Sequence, residues 1–320
     1  MAPGVRAGIS IPFGDVPLHQ HREWFEEVEQ LGYTDVWSSE AAAHDAFTPL
    51  SLAAAWAPRL RLGSAIAPAF TRGPALLAQT AASLADAAPG RFALGLGASS
   101  PAIVQRWNGI PFAEPYARTR DTLRFLRRAL TGERVSERYD TFAVDGFRLG
   151  VVPAEAPPLL VAALRPRMLR LAGEEGDGAI LNWLSPDDVA RVTPYVGGKE
   201  VVARLFVIPL DDFDAVRPLA ARNLTAYLTV PAYRAFHEWL GRGPALQAMW
   251  DAWDAGDRER ALEVIPDEVI DDLFLWGSDD RLRAGLDRYV ASGVTTTAPA
   301  VLGPTDGVRR ALRALAPNPR

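Results

Sequence analysis

The chain has 320 residues, 48% of them hydrophobic and 23% charged, with a formal net charge of −5. That balance is ordinary for a globular protein long enough for one (β/α)₈ barrel, which needs ~250 residues, and its acidity argues against a nucleic-acid surface. The absence of cysteine excludes disulfides, thiolate catalysis and cysteine-ligated zinc. No stretch approaches the ~20 apolar residues of a membrane span. No signal peptide is read in MAPGVRAGISIPFG, so a cytoplasmic protein is expected.

Residues 5–12 read as a first strand, and 19–31 as a helix with Trp24, Phe25, Val28 and Leu31 on one face and Gly32 ending it. Strand two, 34–39, delivers Glu40 to a loop carrying His44 and Asp45. Thr48 is expected to cap a helix over 49–56. Residues 61–69 and 92–97 form strands three and four, joined by a helix that Gly73 and Pro74 open and Pro89-Gly90 stop. Two apolar runs joined this way are a right-handed βαβ crossover of parallel strands. One or two helical turns follow over 100–107, then an amphipathic helix over 116–130.

Residues 134–149 alternate and contain Asp145-Gly146, which predicts a hairpin insertion. Strand five spans 159–164, a helix 166–174 and strand six 179–184. Ser185 caps the next helix, and strand seven runs over 201–210. Residues 211–275 hold more helical periods than one βα unit needs and read as an excursion. A helix over 279–292, a strand over 295–302 and a helix over 305–315 close the chain. Eight strand–helix units predict a single (β/α)₈ TIM-barrel domain over 1–320, with insertions at about 134–150 and 211–275.

In such a fold chemistry gathers at the carboxyl ends of the strands. Leu94-Gly95-Leu96-Gly97 followed by Ala98-Ser99-Ser100 lacks the third glycine of a dinucleotide loop. The better reading is glycines that let a cofactor lie against a strand end. His19-x-His21 has too few histidines elsewhere to be a metal pair. It reads as a solvent-facing first helical turn, and no metal site is expected. Glu40 and His44 leave strand two together as a proton-transfer pair or as an ordinary polar loop; spacing does not choose between them. Leu164-Arg165-Pro166-Arg167 opens a helix whose free N–H groups and arginine suit a phosphate. Ser64 and Asn182 are polar residues in buried strands. Each needs a partner, from a ligand edge or from a neighbouring backbone group.

Five stretches together resemble the luciferase-like monooxygenase superfamily, and within it the coenzyme F420-dependent oxidoreductases. They are GSAIAPAFTRGPALLAQTAASL (63–84), GRFALGLGASSPAIVQRWNGIPF (90–112), PYARTRDTLRFLRRALTGE (115–133), PPLLVAALRPRMLRLAGEEGDGAILNWLSPDDV (157–189) and WGSDDRLRAGLDRYVASGV (276–294). The resemblance implies a cofactor ring packed on a bulge in strand three with a non-proline cis peptide, placed by position between Ser64 and Ala65. It puts Ala67 against the ring or its chain, Gly97, Ser99 and Ser100 beside the cofactor, and Glu40 at an acidic cofactor contact. Asn182 falls on the substrate side, and Leu164 and Arg165 replace a glycine pair that binds the cofactor phosphate. Relatives acting on a sugar phosphate place a histidine after that acid and an acid at the position of Ser100. Here Ala41 and Ser100 stand instead, so that chemistry does not carry over and His44 is the nearest replacement. Trp107 and Trp183 are expected to wall a substrate pocket; Trp37 suits that role or core packing equally. The implied activity is hydride transfer between F420 and a small organic molecule. The alternatives are an FMN-dependent monooxygenase and a non-catalytic flavin or deazaflavin carrier. Relatives also imply a homodimer; the negative charge and the lack of a long apolar run lead to no expected nucleic-acid or membrane partner.

Overall fold

The computed structural model describes residues 4–317. Eight parallel strands close into a barrel: β1 (Arg6–Ile11), β2 (Asp35–Ser38), β3 (Arg61–Ser64), β4 (Phe92–Gly97), β5 (Leu159–Ala162), β6 (Gly178–Asn182), β7 (Glu200–Ile208) and β8 (Thr296–Val301). Pairing of β7 with both β6 and β8, and of β8 with β1, completes the ring. The (β/α)₈ expectation holds. A further strand, Phe274–Trp276, pairs with the last three residues of β7, beyond the stretch that pairs with β6.

The two-residue period of each strand sends one set of side chains to the barrel axis and the other to the helices. The inward set is a small apolar layer of Trp37, Ala93, Leu160, Ile180, Val202 and Ala298. Trp37 fits because its neighbours carry no side chain: a Cβ on Gly63 would lie 2.2 Å from the indole ring, and one on Gly8 2.9 Å from it. Its role is therefore core packing. Below this layer, the first residues of five strands close the barrel with an ionic network. Arg61 donates to both oxygens of Glu200 at 2.6 and 2.8 Å and to Asp35 at 3.3 Å; Arg6 also reaches Asp35, and Thr296 reaches Glu200.

The helices α1 (Arg22–Gln30), α2 (Phe47–Trp56), α3 (Pro74–Ala87), α4 (Pro115–Ala129), α5 (Pro166–Glu174) and α6 (Pro186–Val192) follow the first six strands. Proline at the first turn opens α3, α4, α5 and α6, where the missing N–H costs nothing. Ser185 caps α6 as expected, in a reciprocal box with Asp188. The 211–275 excursion is α7 (Phe213–Leu228), α8 (Pro231–Leu240), α9 (Gly243–Asp254), α10 (Arg258–Glu263) and α11 (Asp267–Leu273). It packs on the strand ends through a second apolar cluster that includes Trp183, Phe206, Leu224, Trp250 and Phe274. The helices α12 (Asp279–Ala291) and α13 (Thr305–Ala314) complete the shell.

Three local expectations are corrected. The helix at α2 starts at Phe47, because the Asp45 carboxylate accepts from the N–H groups of Phe47 and Thr48; Thr48 is not the cap. The hairpin pairs Val135–Arg138 with Ala143–Phe147, so Asp145-Gly146 lies within its second strand. Its turn is fixed instead by Asp121 of α4, which receives both the N–H and the hydroxyl of Thr141. His21 is buried, not solvent-facing: its Nε2 accepts from Phe13 N–H at 2.9 Å while Nδ1 faces Pro17 O at 3.1 Å. Among the described residues no helix is long and apolar enough to cross a membrane.

Candidate functional site

The strand ends meet at the close of β3. Its run is not continuous to residue 69: after Ser64 the chain bulges and rejoins the sheet at Ala67–Pro68, which pair with Leu96 and Gly97 of β4. The bulge carries a non-proline cis peptide between Ala65 and Ile66, one residue beyond the expected bond. Backbone bonds pin it from both sides, Ala65 N–H donating to Ser38 O at 2.6 Å and Glu40 N–H to Ile66 O at 3.2 Å. Ser64 has found the backbone partner, not a ligand. Its hydroxyl donates to Gly95 O at 2.8 Å and accepts from Gly95 N–H at 2.9 Å. Ala67 and Gly97 are likewise fully enclosed between strands. What stays half-open is Ala65, Ile66 and Ala162, resting on the barrel's inner layer. They form an apolar shelf at the mouth.

Beside the shelf, Glu40 is held. Its Oε2 receives Arg72 Nη2 at 2.9 Å and Nε at 3.1 Å, and its Oε1 faces the Thr71 hydroxyl at 3.3 Å. A carboxylate so engaged suits a fixed contact better than a mobile proton donor. Arg72 also lies 3.6 Å from Asp45. Burial pushes the Asp45 carboxyl up, but hydrogen bonds from Thr48 and Phe47 and the Arg72 charge outweigh it and hold the group below its usual value. His44 is half-buried in the same loop, and its ring makes no hydrogen bond among the described residues. Of the pair singled out from the sequence, His44 is the free one.

On the β4 side Ser99 adopts φ +64°, and Ser100 Oγ accepts from Ile103 N–H at 3.4 Å at the start of a π-helical turn over Ala102–Trp107. Trp107, at the end of that turn, is 58% exposed. Arg165 precedes α5 with its side chain in solvent, and its carbonyl closes the first turn by accepting from Met168 and Leu169 N–H; Leu164 is half-buried. Across the mouth, Trp183 takes φ +59° and turns away from the opening. It stacks on Phe206 with centroids 3.8 Å apart and is 1% exposed. It walls the excursion's core more than a pocket. Asn182 donates its amide N–H to the Tyr233 hydroxyl at 2.8 Å, while its Oδ1 is buried with no donor among the described residues. Tyr233 comes from α8, an element the sequence reading placed outside the site. Arg204, inside β7, was passed over too, although a charge in the apolar run VVARLFVI was a signal.

Among the described residues no cluster of histidine and acidic groups could hold a metal ion. An apolar shelf and a basic helix start do fit a flat heteroaromatic cofactor with an anionic tail.

Closure of the eight parallel strands inside a shell of helices defines the class as a (β/α)₈ barrel. The family model for luciferase-like monooxygenases matches residues 4–296, and the chain belongs to that family. A Mycobacterium tuberculosis protein that bears the name coenzyme F420-dependent oxidoreductase is 26% identical, over 92% of this chain and 94% of its own. The 5,10-methylenetetrahydromethanopterin reductase of Methanolobus tindarius is 27% identical, over 87% of this chain and 89% of its own. Among solved structures, an F420-dependent secondary alcohol dehydrogenase in complex with an F420–acetone adduct has a similar fold, with a TM-score of 0.76 at 17% identity over 97% of this chain and 98% of that one.

Proposed function

We propose that this chain is an F420-dependent oxidoreductase that passes a hydride between the deazaflavin and a small organic substrate. The observation that carries the reading is the half-open shelf of Ala65, Ile66 and Ala162 at the strand ends. It is supported by a relative named for F420 chemistry that aligns over 92% of the chain. When bound, F420 supplies a ring carbon that gives or accepts hydride.

The chain's own residues do the rest. The shelf takes one face of the ring and keeps water from it. Glu40, fixed by Arg72 and Thr71, offers a rigid contact at the rim, and Ser99 and Ser100 border the same rim from β4. Arg165 and the start of α5 attract the anionic tail. His44, unpartnered beside the mouth, is the group placed to give or take the proton that accompanies hydride transfer.

The test is a titration of the purified protein with F420 and, separately, with FMN, following cofactor fluorescence. Saturable binding of F420 and none of FMN is expected. Binding of FMN alone would make the protein a flavin enzyme and overturn the proposal. Binding of F420 with no turnover on any acceptor would reduce it to a carrier.

A further inference from the structure

Arg204 is a half-buried guanidinium on a barrel strand, with no carboxylate partner among the described residues. Val202 belongs to the inner apolar layer, and the two-residue period of β7 sends Arg204 to the same side. In register it stands beside Asn182 of β6 and Ala298 of β8, one step above the Ile180–Val202 rung. The contrast with Arg61, the charge at the other end of the barrel, is direct. Arg61 is paired with Asp35 and Glu200. Among the described residues Arg204 makes no salt bridge or side-chain hydrogen bond, and its guanidinium lies 5.0 Å from the Phe206 ring centroid.

Its surroundings supply complementary groups. The Tyr233 hydroxyl accepts from Asn182, which leaves its own hydrogen to donate. Burial, only partly offset by the Asn182 hydrogen bond and the Arg204 charge, pushes that phenol up to about 12, so it is a neutral donor near pH 7. Asn182 Oδ1 is a buried acceptor with nothing to accept. The unmet buried acceptor costs stability and the half-buried cation lacks a counter-charge, and one ligand would satisfy both. Arg204 and Tyr233 each keep a donor free beside Asn182, whose own acceptor remains unmet.

We infer that Arg204, Tyr233 and Asn182 form a subsite for a carboxylate on the substrate, with Asn182 Oδ1 receiving an O–H or N–H donor adjacent to that carboxylate. The inference rests on reading the barrel mouth as the reaction site. It narrows the small organic substrate to hydroxy or amino acids and their relatives. It also gives the excursion a purpose, since α8 brings Tyr233 over the strand ends.

The experiment uses mandelate and its uncharged counterpart mandelamide as probes, with binding to the full-length protein followed by saturation-transfer NMR and calorimetry. Mandelate is expected to bind at least tenfold more tightly than mandelamide. Arg204→Gln should abolish that ratio, Arg204→Lys should keep part of it, and Tyr233→Phe should weaken mandelate several-fold while leaving mandelamide unchanged. Equal binding of the two probes to the wild type, or no binding of mandelate, overturns the inference without recourse to any variant. A ratio that survives Arg204→Gln in a folded protein overturns it as well. An F420 titration run on the same samples separates the two claims. Acid selectivity without F420 binding would keep the subsite and sink the proposed function, and F420 binding without acid selectivity would do the reverse.

Discussion

Gly95→Ala is the sharpest probe of how the barrel builds its shelf. A Cβ there would sit 2.0 Å from Ser64 O, 3.1 Å from Ser64 C and 2.3 Å from Ile180 Cδ1. Ordinary contact begins near 3.4 Å, so the end of β3 would have to retreat by about 1.4 Å. The isoleucine methyl can swing aside, but the Ser64 carbonyl belongs to the backbone that leads into the bulge. The same retreat stretches both hydrogen bonds between Ser64 Oγ and Gly95. Overpacking of this kind costs about 1–3 kcal/mol, and each weakened hydrogen bond about 1 kcal/mol. A total near 3–5 kcal/mol corresponds to a fall in Tm of roughly 4–8 °C for a chain of 320 residues. Because the shelf moves with β3, F420 affinity should fall at least tenfold, about 1.4 kcal/mol. Calorimetry and cofactor titration measure the two effects. Gly150→Ala is the control, since a Cβ at Gly150 meets nothing within 4 Å. Wild-type Tm and wild-type F420 affinity in Gly95→Ala would refute the reasoning.

Arg61→Met removes the cation shared by buried Asp35 and half-buried Glu200, and should cost about 3–5 kcal/mol in a denaturant melt while leaving F420 affinity unchanged at the far end of the barrel. A loss below about 1 kcal/mol would mean that the floor network is not what closes that end. Burial, with the Arg242 charge adding, lowers the His237 imidazole from 6.5 to about 4 in the folded chain. The unfolded chain therefore binds more protons between those two values, and stability falls as pH drops through that window, by roughly 3 kcal/mol in all. His237→Leu should flatten this limb of the stability–pH curve, and an unchanged slope would assign the protons elsewhere. His44→Gln is expected to cut turnover on an accepted substrate by about 10²-fold or more with F420 affinity intact; wild-type turnover would hand the proton to another group.

Much of the barrel is legible in the chain because its signals are local. Pro166 opens α5 and Ser185 caps α6 where the sequence says they should, and apolar runs bounded by glycine and proline mark the strands. Signals that depend on a distant partner misled. Asp145-Gly146 has turn chemistry, yet Asp121, 20 residues before Thr141, fixes the turn elsewhere. Thr48 has capping chemistry, but Asp45 binds the N–H groups of Phe47 and Thr48, so the helix starts earlier and Thr48 falls inside its first turn. The site divides along the same line. Glu40 and His44 were visible at the end of β2, but Arg72, which decides that Glu40 is held and His44 free, pairs across 32 positions. Ser64 was flagged as a buried polar group, and only the β3–β4 pairing reveals that Gly95 satisfies it. Tyr233 could not be anticipated, because nothing in PAYRAFHEWL says which end of the barrel α8 covers.

The most direct measurement is a structure of the protein with F420 bound. The ring should lie over Ala65, Ile66 and Ala162, with its anionic tail along Arg165 and the start of α5. A cofactor ordered anywhere but the carboxyl ends of the strands, or a mouth left empty at saturating F420, would contradict the account.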